Sequence, residues 1–426
     1  MIDPNRVGDP RGGAAVLAAA FVYFLAGCAL LVATGASLAS MHAFAAFIVL
    51  AVVAASNQLV PVLVGARPCS PAMVIGASIP LVVGFGMLIA GFAGATGLFA
   101  PAGAVLALGV LGWIAWMLAR VAGGKLEPET RAVFAISLLG LAAAAILGAM
   151  MAFSLSGTTT PDFLHFAPAH ASLAIIAFAS VLVVAISRRL VPMFALSHAD
   201  DSRLQCGTPW LALVVGFGAA AALLATASQA LLLRGALILA LAVLAVAAFG
   251  HLRTLRARMR RKIDISLRYA ATAWSFAFLA AGLALTATWW PPAAPAAVAC
   301  AVLGWLSLSI VGYAYKISGF LAWQFAKQRT PTASLPPLAG AVPEIPARLA
   351  LAMLAVGTLA GAATLTIEPR IQTIAFTTYA LGGGLAVVTL LQAPLRYLKG
   401  AAVCPTTIPP PKSSTSIPAG SIHPNH

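Results

Sequence analysis

Charge is what this sequence has least of. Of its 426 residues only 8% are charged, while 61% are hydrophobic. A soluble domain carries roughly 25% charged and about 45–50% apolar residues. So few charges cannot clothe a globule of this size in water, which excludes an ordinary soluble enzyme. The apolar excess excludes a disordered chain as well. Acids are the scarcer sign, 10 against 25 bases, and all ten fall in loops, tails or at the ends of apolar stretches. Cysteine is sparse too. Cys28, Cys69, Cys206, Cys300 and Cys404 are scattered without a Cys-x-x-Cys spacing, which excludes a disulfide scaffold and a thiolate zinc site. No small-residue cleavage motif follows the first apolar run, so that run reads as a spanning helix and not as a leader.

Long apolar runs are what the sequence has in abundance. A spanning helix takes about 20 apolar residues. Twelve such segments can be marked, at 14–36, 42–64, 71–94, 96–120, 132–154, 164–187, 208–228, 230–250, 267–288, 294–316, 347–367 and 372–393. The 37 glycines and 28 prolines are no obstacle, because membrane helices tolerate both. Two connections are so short, Gly94-Ala95 and Gln229, that they must be tight hairpins. Pro61 and Pro192 are expected to end or kink their helices, and Gly382-Gly383-Gly384 to allow close helix packing. The expected fold is therefore all-α, a polytopic membrane protein of twelve transmembrane helices.

The bases test that count. With twelve spans and both termini cytoplasmic, 23 of the 25 Lys and Arg lie on the inner side, and only Arg234 and Arg370 lie outside. Cytoplasmic loops of membrane proteins collect bases in this way. The run Arg253 to Lys262 reads as a topology determinant touching anionic lipid. No aromatic or fold signal suggests a nucleic-acid partner. Residues 1–13 form a cytoplasmic N-terminal segment and 14–394 the membrane domain. The Pro/Ser/Thr-rich stretch 401–426 is expected to be a disordered cytoplasmic tail.

The second, sixth and tenth segments end alike. They close with Gln58-Leu59-Val60-Pro61, Arg189-Leu190-Val191-Pro192 and Lys316-Ile317-Ser318-Gly319, whose last positions are 131 and 127 residues apart. Each belongs to the second helix of a block of four. The recurrence predicts three fused four-helix arcs around a pseudo-threefold axis, repeats of about 14–120, 132–250 and 267–394. The histidines fall into the same frame. His42 opens the second segment on the outer side, and His165 and His170 open the sixth. An ionisable group inside a membrane bundle is a functional candidate; the plainer reading is a capping or interfacial hydrogen bond. His198 and His251 lie at inner helix ends, where a cation suits the helix dipole.

Twelve helices in three arcs, with histidines on the second helix of an arc, resemble the catalytic subunit I of heme-copper oxidases. The tenth segment resembles the C-type branch, where a His-x-His pair precedes a Leu-Gly-Trp, a Gly and a Tyr. This chain carries Leu303-Gly304-Trp305, Gly312 and Tyr315 in that frame, with Ala297 and Ala299 where the histidines stand. Met41-His42 is similar to the family's low-spin heme ligand site, and His170, ahead of Leu190-Val191-Pro192, to its first copper ligand. The layout is also akin to NnrS-type membrane heme proteins. The resemblance implies a bacterial inner-membrane protein that works in the lipid bilayer beside other membrane or respiratory subunits.

The departures shape the functional expectation. Of six His ligands that dioxygen reduction uses in that family, this chain keeps two. The 208–228 segment lacks a His-His pair, and alanine cannot coordinate iron. The resemblance thus implies a degenerate subunit I, not a terminal oxidase. It would hold one heme b or copper ion, with His42 the candidate heme ligand and His170 and His165 the candidate metal ligands. The role would be respiratory accessory or nitrogen-oxide or metal response. Met41, Met150, Met151 and Cys300 are further donors that could stand in for missing ligands. Two other readings stay open: the same fold with no cofactor, acting as a structural membrane subunit, or a small-solute transporter, whose usual paired halves fit a threefold period poorly.

Overall fold

The computed structural model describes residues 9–64, 69–124, 127–158, 163–197, 203–224, 229–259, 262–329, 342–366 and 371–403. His198, His423 and His426 and the tail from Cys404 lie outside the described residues. Twelve helices are long and apolar enough to cross a membrane: α1 Arg11–Thr34, α2 Leu38–Pro61, α3 Pro71–Phe92, α4 Thr96–Ala122, α5 Pro128–Leu155, α6 Leu164–Ala195, α7 Gln205–Leu224, α8 Ala230–Arg256, α9 Ile265–Ala287, α10 Pro291–Lys327, α11 Glu344–Thr366 and α12 Gln372–Tyr397. The chain is an all-α polytopic membrane protein. A lipid interior offers the backbone no hydrogen-bonding partner, so each crossing segment must satisfy its own amides as a helix.

Each expected span has its helix, but several run further. The sixth, expected to stop at 187, continues to Ala195, and the eighth, expected to stop at 250, continues to Arg256. Hydropathy marks only the apolar part of a helix; the hydrogen-bond ladder carries on through the polar turns beyond. The last helix reaches Val403, three residues into the stretch expected to be tail. Pro61 and Pro192 do not end their helices, which continue to Val64 and Ala195. The α3–α4 hairpin is as tight as expected. Gly94 sits at φ +118°, where a side chain would strain the backbone, and Ala95 N–H donates to Ala90 O at 2.9 Å. The turn before α8 borders 225–228, outside the described residues.

Burial separates an inner trio from an outer ring. The buried share of the apolar core stretch is highest in α10 (78%), α2 (67%) and α6 (56%), and no other helix exceeds 50%. These are the second helix of each block of four. Around them, α4 packs on α5, α8 on α9 and α12 on α1, so the ring closes. Inside, α10 packs on both α2 and α6. Trp305 Nε1 of α10 donates to Ser180 Oγ of α6 at 2.9 Å. Phe24 of α1, Phe44 and Phe47 of α2 and Tyr379 of α12 join the first and last blocks, with ring centres 4.9–6.4 Å apart. Gly382 and Gly383 allow the close approach expected of them, against Leu354 of α11 and Phe24 of α1.

The second and third blocks share a local architecture. In α6 a 3₁₀ turn at Leu164–Phe166 leads into a short α-helix, Ala167–Ser172, and then a π-helical stretch, Leu173–Ser180. In α10 the same succession runs Pro291–Ala293, Ala294–Ala299 and Cys300–Leu306. Each of these three elements in α10 begins 127 residues after its counterpart, the offset that also separates Pro192 from Gly319. Three separate backbone features at one offset are the mark of a structural repeat.

Candidate functional site

The candidate histidines sit where the two inner helices α2 and α6 begin. His42 lies one turn into α2, and its Nδ1 is 2.7 Å from Leu38 O on the preceding turn. His170 lies in the short helix just ahead of the π-helical stretch of α6, and its Nδ1 is 2.8 Å from Ala144 O of α5. A carbonyl can only accept, so each Nδ1 carries the proton and donates it. That assigns the lone pair to Nε2 on both rings, the arrangement that orients an imidazole as a ligand. No hydrogen bond among the described residues occupies either Nε2.

The two rings face each other. Their centres are 6.5 Å apart and their planes 20° from parallel. Phe92, at the end of α3, lies against His42 with ring centres 4.8 Å apart, and Phe99 of α4 backs Phe92 at 5.0 Å. Beside His170 the α5 helix carries Gly148; a methyl there would stand 3.1 Å from His170 Cε1. Phe92, Ala144 and Gly148 were not singled out from the sequence. An aromatic, an alanine and a glycine carry no signal in a chain this apolar, and a backbone carbonyl carries none anywhere.

His165 is placed differently. It belongs to the 3₁₀ turn before the short helix, is exposed, and rests its ring 3.9 Å from that of Phe166. The structure therefore joins His42 with His170 and leaves His165 at the rim. Among the described residues no three of His, Cys, Asp or Glu gather into a cluster. Ala297 stands 127 residues after His170 and occupies its place in the short helix of α10, 7% exposed. The starts of the inner trio thus present imidazole, imidazole and methyl in the three blocks.

The remaining described histidine, His251 in α8, sets its ring against Trp274 at 4.7 Å, in T-shaped contact. Trp274 meets Trp305 of α10 at 4.9 Å. This column belongs to the packing between the second and third blocks. Near the start of α8 Arg234 donates to Thr288 Oγ1 at 3.0 Å, and its guanidinium stacks over Trp289, 4.4 Å from the ring centre.

The distance between the two ring centres is compatible with one ion shared by the two imidazoles. Metal–imidazole bonds of about 2.0–2.1 Å set the centres of two opposed rings on one ion roughly 6 Å apart, close to the observed separation. Two cavities of about 10 Å³ each lie elsewhere and touch neither histidine. The pair thus offers two nitrogen donors, Nε2 of each ring. Compared with known proteins, the chain matches no protein-family model and no curated sequence.

Proposed function

We propose that this membrane protein holds one transition-metal ion, copper first among the candidates, through Nε2 of His42 and Nε2 of His170. The observation that carries the reading is the pair itself: two imidazoles from different blocks, 6.5 Å apart, each tethered at Nδ1 by a backbone carbonyl. Imidazole suits copper, zinc and iron, and with two nitrogens the site leaves room for further ligands. A bound copper ion would supply one-electron chemistry or simple metal retention at the outer face. The residues themselves orient Nε2, exclude water on the Phe92 side and make room for the His170 ring at Gly148. The role that best suits so small a site is metal handling or nitrogen-oxide response beside a respiratory complex in a bacterial inner membrane. Heme b is the second cofactor reading, resting on the likeness of Met41-His42 to a heme ligand site.

A cofactor-free structural subunit is favoured by one observation, the absence of a third His, Cys, Asp or Glu near the pair among the described residues. Metal analysis and absorption spectra of the purified chain separate the readings. About one copper per chain without a Soret band supports the proposal. A Soret band that vanishes in His42→Ala assigns heme instead. A preparation that takes up neither copper nor heme leaves the structural role.

A further inference from the structure

The separation of the two imidazoles limits which ion can join them, given the two-histidine site on which this inference rests. The rings of His42 and His170 are centred 6.5 Å apart, with planes 20° from parallel. With metal–nitrogen bonds of about 2.0–2.1 Å, the two centres stand roughly 6 Å apart when the bonds lie in line and roughly 5 Å apart when they meet at a tetrahedral angle. The observed separation selects the straight arrangement.

Both rings are tethered against swinging inward to close that angle. His42 Nδ1 is held 2.7 Å from Leu38 O, and His170 Nδ1 is held 2.8 Å from Ala144 O. The two acceptors are backbone of different helices, so each moves only with its helix. Turning either ring toward a bent arrangement gives up a hydrogen bond, which is costly where water does not replace it. The groups set against the rings are hydrocarbon: Phe92 beside His42, with ring centres 4.8 Å apart, and the α5 helix at Gly148 beside His170. Two neutral imidazoles also bring the ion no negative charge. The cost of burying a charge grows as its square, so a divalent ion is disfavoured about fourfold over a monovalent one.

We propose that the His42–His170 site selects a monovalent ion of the copper group, Cu(I) with Ag(I) as its mimic, and discriminates against zinc and Cu(II). A filled-shell ion of single charge bonds strongly to two ligands in line and holds any further ligand weakly. Zinc takes four ligands in a tetrahedron, and Cu(II) takes four in a plane. Two opposed nitrogens satisfy the first demand, contradict the second and supply half of the third. The site is then a holder of reduced copper, not a centre for oxidation chemistry.

The test is metal uptake by the full chain in detergent and chloride-free buffer. Ag(I), Zn(II), Cu(II) and copper reduced with ascorbate are added separately, each against a chelator of known affinity. About one silver or reduced copper ion per chain should be retained at least about 100-fold more tightly than zinc or Cu(II), and X-ray absorption should show two nitrogen neighbours. His42→Ala and His170→Ala should each remove that ion, which separates it from silver taken up by the five cysteines and ten methionines. X-ray absorption of the natural sequence needs no variant, so the test holds where a variant fails to fold. Zinc or Cu(II) bound as tightly as silver, or three or more strong ligands, overturns the selectivity and leaves the two-histidine site standing. Silver held by sulfur alone, or no ion retained, removes the two-histidine site and this inference with it.

Discussion

At the scale of the residue, the candidate site is two imidazoles and the small groups that hold them. If a metal is bound, His42→Ala and His170→Ala should each strip it while the protein still inserts, because twelve apolar spans do not depend on one ring. His165→Ala should leave metal content unchanged, since His165 rests on Phe166 at the rim. Metal analysis of the three purified variants checks this; equal loss in all three would sink the two-histidine site. Gly148 gives a subtler test. A β-carbon there would press on His170 Cε1 at 3.1 Å, and a branched side chain would push the ring off its hydrogen bond to Ala144. Gly148→Val should weaken metal retention about 10- to 100-fold, the usual cost of disturbing a group that orients a ligand. Competition with a chelator reads that change directly.

At the scale of the element, the π-helical stretch of α6 depends on its neighbours. Ala177 at its middle is gripped by Gly140 of α5 and Gly216 of α7. A β-carbon on Gly216 would stand 2.5 Å from Ala177 Cα, which is backbone and cannot step aside. Gly216→Leu should therefore destabilise the protein by about 1–3 kcal/mol or more, seen as a lower Tm. By contrast Gly218, two residues on, faces open space, and Gly218→Leu should be nearly silent. The start of α9 carries a second test. Asp264 caps the helix by accepting from Ser266 N–H at 3.1 Å and also pairs with Lys316. Asp264→Ala removes both and should cost about 1–2 kcal/mol, mostly through the lost cap, with the partly exposed ion pair adding little. A drop no larger than that of Glu129→Ala, a change at a half-buried acid, would count against the clamp.

At the scale of the whole molecule, twelve alternating spans predict that Arg258 and Thr158 lie on opposite faces of the membrane. Single cysteines at Arg258 and Thr158, in a chain otherwise free of cysteine, should label from opposite sides of the membrane. Labelling from one side would break the twelve-span topology. The molecule's chemistry can be tested whole as well. Membranes enriched in this protein should consume no additional oxygen with quinol or reduced cytochrome c, because Ala297, Ala299 and the histidine-free α7 provide no second metal centre. Oxygen uptake that tracks the amount of protein would refute this.

The number of helices, their membrane setting and the blocks of four were all legible in the sequence. Apolar length is a one-dimensional property, and an apolar run of about 20 residues satisfies its own backbone in lipid as a helix. The Pro61, Pro192 and Gly319 endings announced the repeat for the same reason, since they recur along the chain. What only the tertiary structure decided is which side chains meet. Depth along a helix can be counted from sequence, but rotation about its axis is set by packing, so His42 and His170 could be placed at one level without being placed face to face. The 3₁₀ and π-helical stretches also left no periodic trace, because α-helix and π-helix differ by less than the noise of an all-apolar pattern. The pairing of Glu127 with Arg189 and of Asp264 with Lys316 joins residues about 50–60 positions apart. Antiparallel helices bring such residues together at one membrane face, and only the folded bundle shows which of them pair.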